Sequence, residues 1–407
     1  MELLRATERS INRCITQLPD STPPATADRI GWSVPTSVSR PERPCSRGPH
    51  VASERAAPQR ELPLSTKLKW LHRPECYPET AGRIESLETH FAWVFFTGQH
   101  AYKLKKPVHL RGMDYSSVPS RHWSCLEELR LNRRLAPAVY LEVVPLVRRD
   151  DGAMRLEPPG DIVDWLVKMV RLDSRQMLDT CLESGAIEPG RLRPALELLA
   201  RFYRDAPRID TTGSAFRRRL EAQVERNRSD LLDPLLGVAA TDLREITHGQ
   251  LEFLAQHHTL FAGRAVRHAL LEGHGDLRPE HVYVGTPPCV IDCLEFDRDL
   301  RLCDPVEELA FLGLECGRAG AGWVSSAAIE IYAAVTADAP PPEVVDFYIS
   351  HRAVTRAKII AWHLADPTYR DRAPWSQMAT GYLQLARDAL DRAWSRQRPS
   401  LSNATGR

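Results

Sequence analysis

His274-Gly275-Asp276-Leu277-Arg278-Pro279-Glu280-His281-Val282-Tyr283-Val284 decides the reading of this 407-residue chain. After it come the turn Gly285-Thr286-Pro287-Pro288 and the apolar run Cys289-Val290-Ile291, which ends on Asp292. The pattern is a loop carrying one acid, a short strand, a tight turn, and a second strand that delivers another acid. A hairpin this short fixes the separation of the two carboxylates without a long connection. Phosphoryl transfer needs such a layout: one acid to orient an attacking hydroxyl, a second to hold magnesium on the phosphates of ATP. His-Gly-Asp alone is a three-residue coincidence. The set carries the signal, because Asp304-Pro305 and Glu308-Leu309-Ala310 then open a helix just beyond it.

The segment resembles the corresponding loop of aminoglycoside phosphotransferases and related kinase-like enzymes, where His-Gly-Asp stands for the His-Arg-Asp of protein kinases. The likeness runs from about Glu88 to His363. It is carried by Glu88-Thr-His-Phe-Ala-Trp-Val, Thr97-Gly, Ala101-Tyr-Lys-Leu-Lys-Lys-Pro107, Glu127-Glu-Leu-Arg-Leu-Asn-Arg-Arg-Leu-Ala-Pro137, Leu166-Val-Lys-Met169, Phe296-Asp297 and Arg352-Ala-Val-Thr-Arg-Ala-Lys358. These stretches are similar to one group of bacterial kinase-like proteins in that superfamily. Some members of the group carry a P-loop ATPase domain after the kinase-like part. No Gly-x-x-x-x-Gly-Lys-Ser/Thr loop occurs in these 407 residues, so the ATP site expected here is the kinase-like one.

Bulk composition agrees with a large, ordinary globular core: 43% hydrophobic and 26% charged residues. The formal net charge of +1 gives no footprint for nucleic acid or an acidic membrane surface. No apolar run reaches membrane-span length and no signal peptide opens the sequence, so a cytoplasmic protein is expected. Nine cysteines include no Cys-x-x-Cys pair, and Cys289, Cys293 and Cys303 lie off metal-ligand spacing. They read as buried free thiols in a reducing compartment.

Residues 1–62 hold eight prolines and nine arginines but no lysine, with no periodicity, and read as a disordered extension. Seven acidic residues there argue against a transit peptide. From Ile84 the pattern turns to strands, with a hairpin of 91–96 and 101–106 around Thr97-Gly98-Gln99-His100. A helix is expected over 121–135, then strands over 139–147 and 164–170. Helical periodicity dominates afterwards: 191–204, 212–231, 248–270, 305–316, 324–336, 342–364 and 377–394. Together with the resemblance, this implies an α+β, two-lobed protein-kinase-like fold. The strand-rich N-lobe would span 63–172, the helical C-lobe 173–396, and a disordered tail 397–407.

The resemblance assigns further expectations residue by residue. A lysine on the third strand binds the nucleotide phosphates and is held by a glutamate from the next helix. Lys103 is favoured for that position, although Lys105 faces the same way by strand alternation and stays an alternative. Glu128 is the favoured partner over Glu127, because Glu128 and Leu135 reproduce the family's glutamate-to-leucine spacing of seven. The bland reading of either glutamate is an exposed helix carboxylate paired with Arg130 or Arg134. Asp276 is expected to orient the substrate hydroxyl, and His274 to shape the loop. Asp292 is expected to hold the metal, since a carboxylate at that depth is costly without a cation. His281 departs from the family, which has asparagine there as a magnesium ligand. Imidazole suits magnesium poorly. Either Asp292 holds magnesium alone, or a manganese-like ion is used, or the site binds nucleotide without turnover. Asp304 and Glu308 read as braces of the loop. Arg352, Arg356 and Lys358, at i, i+4 and i+6 of a helix, read as a solvated charged face, with an anionic-substrate site as the sharper alternative.

The expected activity is ATP- and Mg-dependent transfer of a phosphoryl group to a hydroxyl acceptor, with Mn2+ as the other candidate ion. The alternatives are a nucleotide-binding module without turnover and nucleotidyl transfer onto protein. The same resemblance implies that the acceptor is chosen by about 174–265, where nothing names it.

Overall fold

The computed structural model describes residues 61–79, 82–110, 112–233, 236, 240–268, 270–365 and 374–396. The expected extension over 1–62, apart from Glu61 and Leu62, and the expected tail from 397 lie outside the described residues.

A short helix, α1 (Leu64–Leu71), opens the described chain and precedes a six-stranded antiparallel sheet ordered β1-β2-β3-β8-β6-β7. Its strands are β1 (Glu85–Glu88), β2 (Ala92–Phe96), β3 (His100–Lys105), β6 (Tyr140–Arg148), β7 (Met154–Arg155) and β8 (Asp161–Val170). A two-residue ribbon, β4 (His109–Leu110) with β5 (Met113–Asp114), leads from β3 into helix α2 (Val118–Asn132). Strand alternation sends successive side chains of β3 to opposite faces. Tyr102 and Leu104 enter a core with Leu71, Cys76, Phe95, Leu146 and Leu166 on the α1 side. Lys103 and Lys105 face the other way, toward α2. The helix starts at a capping box in which Ser117 accepts from the Ser120 amide, with Pro119 in the first turn.

After β8 the chain is mainly helical: α3 (Leu178–Glu183), α4 (Pro189–Asp205), α5 (Gly213–Leu231), α6 (Ala240–Gln256) and α7 (His258–His268). Two small sheets follow. One is β9 (Arg208–Ile209), β10 (Leu270–Glu272) and β13 (Leu302–Cys303); the other is the hairpin of β11 (Val282–Tyr283) and β12 (Cys289–Val290). Four helices close the lobe: α8 (Pro305–Arg318), α9 (Trp323–Thr336), α10 (Pro342–Ala365) and α11 (Trp375–Ser395). Their main core gathers Leu196, Leu199, Tyr203, Phe253, Leu309, Leu312 and Phe347.

This is the two-lobed protein-kinase-like fold, a curled antiparallel N-lobe sheet with α1 and α2 on its two faces and a helical C-lobe. The single helix expected over 248–270 is two. The break falls at His257, whose ring Nδ1 and backbone amide both turn to the Phe253 carbonyl, 2.8 and 2.9 Å away. The second half then packs on α5, where a Cβ on Gly213 would lie 2.5 Å from that of Ala262. Helix α1, helix α3 and strands β9, β10 and β13 add to the expected elements. The seven described cysteines are all free and buried. No described helix is long and apolar enough to cross a membrane.

Candidate active site

Between the lobes, Lys103 reaches two carboxylates from different directions. Its Nζ lies 2.7 Å from Asp292 Oδ1 and 3.0 Å from Glu128 Oε1. Lys105 takes the other Glu128 oxygen, at 2.6 Å, and also meets Glu295. Glu128 is fully buried between the two ammonium groups. Burial alone would lower both lysines; the carboxylates facing them, Asp292 and Glu128 first for Lys103 and Glu128 and Glu295 for Lys105, hold both well above the ordinary value. Glu127 instead pairs with Arg130 at 2.6 Å and Arg301 at 3.3 Å.

The 274–281 loop is pinned from α8. The Glu308 carboxylate accepts from the His274 amide (2.8 Å) and the Gly275 amide (2.5 Å), and from the Tyr203 hydroxyl (2.9 Å). It occupies the space above Gly273, where a Cβ would lie 2.5 Å from Glu308 Oε2. Gly275 has φ +90°, a conformation that favours glycine. Asp304 caps α8 through the Val306 amide at 3.0 Å and pairs with Arg264 at 2.8 Å. His274 donates from Nε2 to the Ile291 carbonyl at 2.9 Å and accepts at Nδ1 from the Asp276 amide at 3.3 Å. Burial keeps this ring neutral, below the usual histidine range.

Asp276 points into the cleft and is 27% exposed. Arg278 Nη2 and Nε both bind its Oδ2, at 2.9 and 3.0 Å. Burial raises the Asp276 carboxyl, but Arg278, then His281 and Arg356, override it and hold it well below the carboxylate range. Arg278 also pairs with Glu280.

Asp292 leaves β12 with φ +61°, a left-handed conformation that aspartate tolerates better than most residues. Three neighbours hold it there. Its own amide donates to the Tyr140 hydroxyl (3.1 Å), the Cys293 amide to Asn132 Oδ1 (2.9 Å), and the Ile291 amide to the His281 carbonyl (2.9 Å). The side chain stays 44% exposed, open to the cleft. Burial of the group opposes ionisation; Lys103 and His281 overcome it and hold Asp292 far below the usual carboxylate range. His281 bridges the two acids. Its Nδ1 lies 2.8 Å from the Asp276 carbonyl, and its Nε2 lies 3.6 Å from Asp292 Oδ2.

The structure therefore brings Lys103, Lys105, Glu128, Asp276, His281 and Asp292 together and sets Glu127 apart. Sequence reasoning assigned no role to Arg278, Tyr140, Asn132 or Glu295. Arg278 sits inside the quoted motif, two residues past Asp276, and that spacing was its only available signal. The solvated face expected for Arg352, Arg356 and Lys358 is corrected. Arg352 is buried with its Nε 2.8 Å from Glu307, Arg356 lies 3.3 Å from Glu315, and Lys358 lies 3.7 Å from Asp230. Helix α10 packs this side onto α8 and α5 rather than into water.

A cation would fit between Asp292 and His281. No group of three or more His, Cys, Asp or Glu side chains among the described residues is arranged to hold a metal. Two protein donors would need the remainder from phosphate and water, which is how nucleotide-bound divalent ions are usually held.

No protein-family model matches the chain. Uncharacterised proteins of Mycobacterium tuberculosis and Mycobacterium bovis are 34% identical to it over 284 residues. That match covers 68% of this chain and 54% of theirs, so the chain spans about half the length of the curated relatives it matches. Among solved structures, a choline/ethanolamine kinase family protein from Mesorhizobium loti shares 16% identity, with a TM-score of 0.49 over 81% of this chain and 97% of that one. An aminoglycoside phosphotransferase from Streptomyces rimosus shares 16% identity, with a TM-score of 0.40 over 72% of this chain and 98% of that one. By sequence the chain is thus similar to uncharacterised mycobacterial proteins, and its structural neighbours are aminoglycoside phosphotransferases and choline/ethanolamine kinases.

Proposed function

We propose that this protein is an ATP-dependent phosphotransferase that moves the γ-phosphoryl group onto a hydroxyl of a small-molecule acceptor. One observation carries the reading: Lys103 from the N-lobe strand meets both Glu128 of α2 and Asp292 of the C-lobe, at 3.0 and 2.7 Å, beside Asp276. In this reading they are the phosphate-binding lysine, its carboxylate anchor and the cation-binding acid of one cleft.

In this reading Lys103 binds the phosphates, and Glu128 and Lys105 keep it extended into the cleft. Asp276 receives the acceptor hydroxyl. Both Arg278 nitrogens occupy Oδ2, and among the described residues Oδ1 has no hydrogen-bond partner, so Oδ1 takes the hydroxyl hydrogen. The acceptor oxygen forms its bond to the γ-phosphorus as the bond to the ADP oxygen breaks, and the hydroxyl proton passes to Asp276 Oδ1. Asp292 and His281 would hold a divalent cation, which supplies neutralisation of phosphate charge. The lobes would meet near Val170-Arg171-Leu172.

Calorimetric titration of ATP with Mg2+ and then Mn2+, into the protein and its Asp292→Ala variant, tests this. Cation-dependent binding that the variant loses is expected; absence of binding with both ions overturns the reading. Asp276→Ala should then abolish transfer while leaving nucleotide affinity nearly intact. His281 supports a second reading, a nucleotide-binding module with little turnover. A large gain in magnesium-dependent turnover in His281→Asn would favour it.

A further inference from the structure

We propose that His281 is a direct ligand of the cation and makes this cleft prefer a first-row transition ion, of the Mn2+ to Zn2+ class, over Mg2+. The inference rests on the kinase reading of the cleft and concerns which ion completes it.

A carbonyl oxygen only accepts hydrogen bonds, so the 2.8 Å contact to the Asp276 carbonyl makes Nδ1 the protonated nitrogen of His281. In the neutral ring Nε2 then keeps its lone pair, and Nε2 is the atom that faces Asp292 Oδ2. The backbone cannot easily turn the ring away. His281 ends a 3-10 turn (Pro279–His281) begun by a proline, and its carbonyl accepts from the Ile291 amide at 2.9 Å. This is the arrangement that metal-bound histidines use, one nitrogen anchored to protein and the other presented as donor.

Asp292 is divided in a matching way. Oδ1 is taken by Lys103 at 2.7 Å, while Oδ2 faces Nε2 at 3.6 Å. That distance is too long for a hydrogen bond. Neighbouring donors on one octahedral ion at about 2.1 Å lie about 3 Å apart, within a small side-chain adjustment of the observed gap. His281 is buried and Asp292 half-exposed, so the open side of the pair faces the cleft, where phosphate oxygens would complete the shell.

The ion's identity follows from the donor set. Magnesium binds oxygen and disfavours imidazole; first-row transition ions accept nitrogen beside oxygen, with affinity rising from Mn2+ toward the later members.

The test uses the 407-residue chain saturated with ATP, titrated with Mn2+ and with Mg2+ beside His281→Asn. Pulsed electron paramagnetic resonance of bound Mn2+ should show coupling to an imidazole nitrogen in the native protein and none in the variant. The native Mn2+-over-Mg2+ preference should exceed that of free ATP by about ten-fold, and asparagine should remove that excess. Nucleotide bound equally well with both ions, without nitrogen coupling, overturns this inference and leaves the kinase reading standing. No nucleotide binding with either ion overturns both. The nitrogen coupling is read on the native protein alone, so a poorly folded variant cannot obscure the answer.

Discussion

Glu128 has no exposed surface and two lysines against it, and those lysines are not equivalent. Lys105 is almost wholly buried and joins Glu128 to Glu295, which also accepts from the Tyr115 hydroxyl at 2.5 Å. Lys103 is nearer the cleft, with half-exposed Asp292 as its other partner. Removing Lys105 therefore leaves two buried carboxylates with one remaining cation between them. Lys105→Met should cost about 3 kcal/mol of stability, in the range for breaking a buried ion pair. Lys103→Met should cost less stability, because Asp292 can be solvated, yet it should reduce nucleotide affinity strongly. Urea unfolding and calorimetry on both variants separate the two roles; equal stability losses with unchanged affinity would contradict the assignment. This difference was not legible in the sequence. Strand alternation puts both lysines on one face, and only the depth of α2 over that face distinguishes them. The spacing of Glu128 to Leu135 did single out the buried glutamate. Tyr140 and Asn132 were illegible because the amides they accept from, at Asp292 and Cys293, lie more than a hundred residues away.

At the scale of elements, α1 is held against the sheet by charge as well as by apolar packing. Asp164 on β8 receives Lys67 of α1 at 2.7 Å and Arg121 of α2 at 3.0 and 2.9 Å. Arg121 also donates to the Tyr115 carbonyl at 2.8 Å, and Glu61 meets both cations at the rim. Three elements thus share one buried carboxylate, and one of them is the helix that carries Glu128. Asp164→Asn keeps the shape but leaves two buried cations facing an amide, and should cost about 3–4 kcal/mol. Glu61→Gln, at the exposed edge of the same network, should cost under about 1 kcal/mol. Denaturant midpoints give both values, and amide exchange in α1 should accelerate in the first variant only. Equal, small losses would mean that the cluster is not what fixes α1. The long helices and the β2–β3 hairpin were legible because an apolar stripe or an alternating run marks each of them. Helix α1 was not, because its inward face includes Lys67, a residue that only pairing with Asp164 makes tolerable inside. Strands β9, β10 and β13 escaped for another reason: two- or three-residue segments are too short to show a period.

Among the described residues, buried charge networks recur across the molecule, including those around Asp164 in the N-lobe, Glu128 in the cleft and Arg264 in the C-lobe. The last binds Asp304 at 2.8 Å and Asp338 at 2.9 Å, with the Tyr348 hydroxyl 3.0 Å from Asp304 and the Tyr332 hydroxyl 2.8 Å from Asp338. It ties α7, α8, α10 and the end of α9 together behind the 274–281 loop. One carboxylate in each network is held below its ordinary value, Glu61 beside Asp164, Glu295 beside Glu128 and Asp304 beside Arg264, so acid acts on all three. Burial pushes the Asp304 carboxyl up, but Arg264, by charge and by hydrogen bonds, more than offsets this and leaves it below its ordinary 3.8. A depressed folded-state value means that the unfolded chain takes up the proton first. The stability Asp304 contributes is therefore complete above about pH 4 and is lost as pH falls through its folded value. Three residues on, Glu307 behaves in the opposite sense: burial outweighs Arg352 and raises it above 4.5, so its ionisation weakens the fold as pH climbs past that point. Thermal unfolding between pH 3 and pH 8 should show both slopes. Asp304→Asn should lower stability at pH 7 by about 3 kcal/mol and flatten the acid limb below pH 4. Glu307→Gln should leave that limb unchanged and remove the loss that begins above about pH 4.5. An acid limb as steep in Asp304→Asn as in the native protein would place the acid-sensitive carboxylates in the other two networks instead.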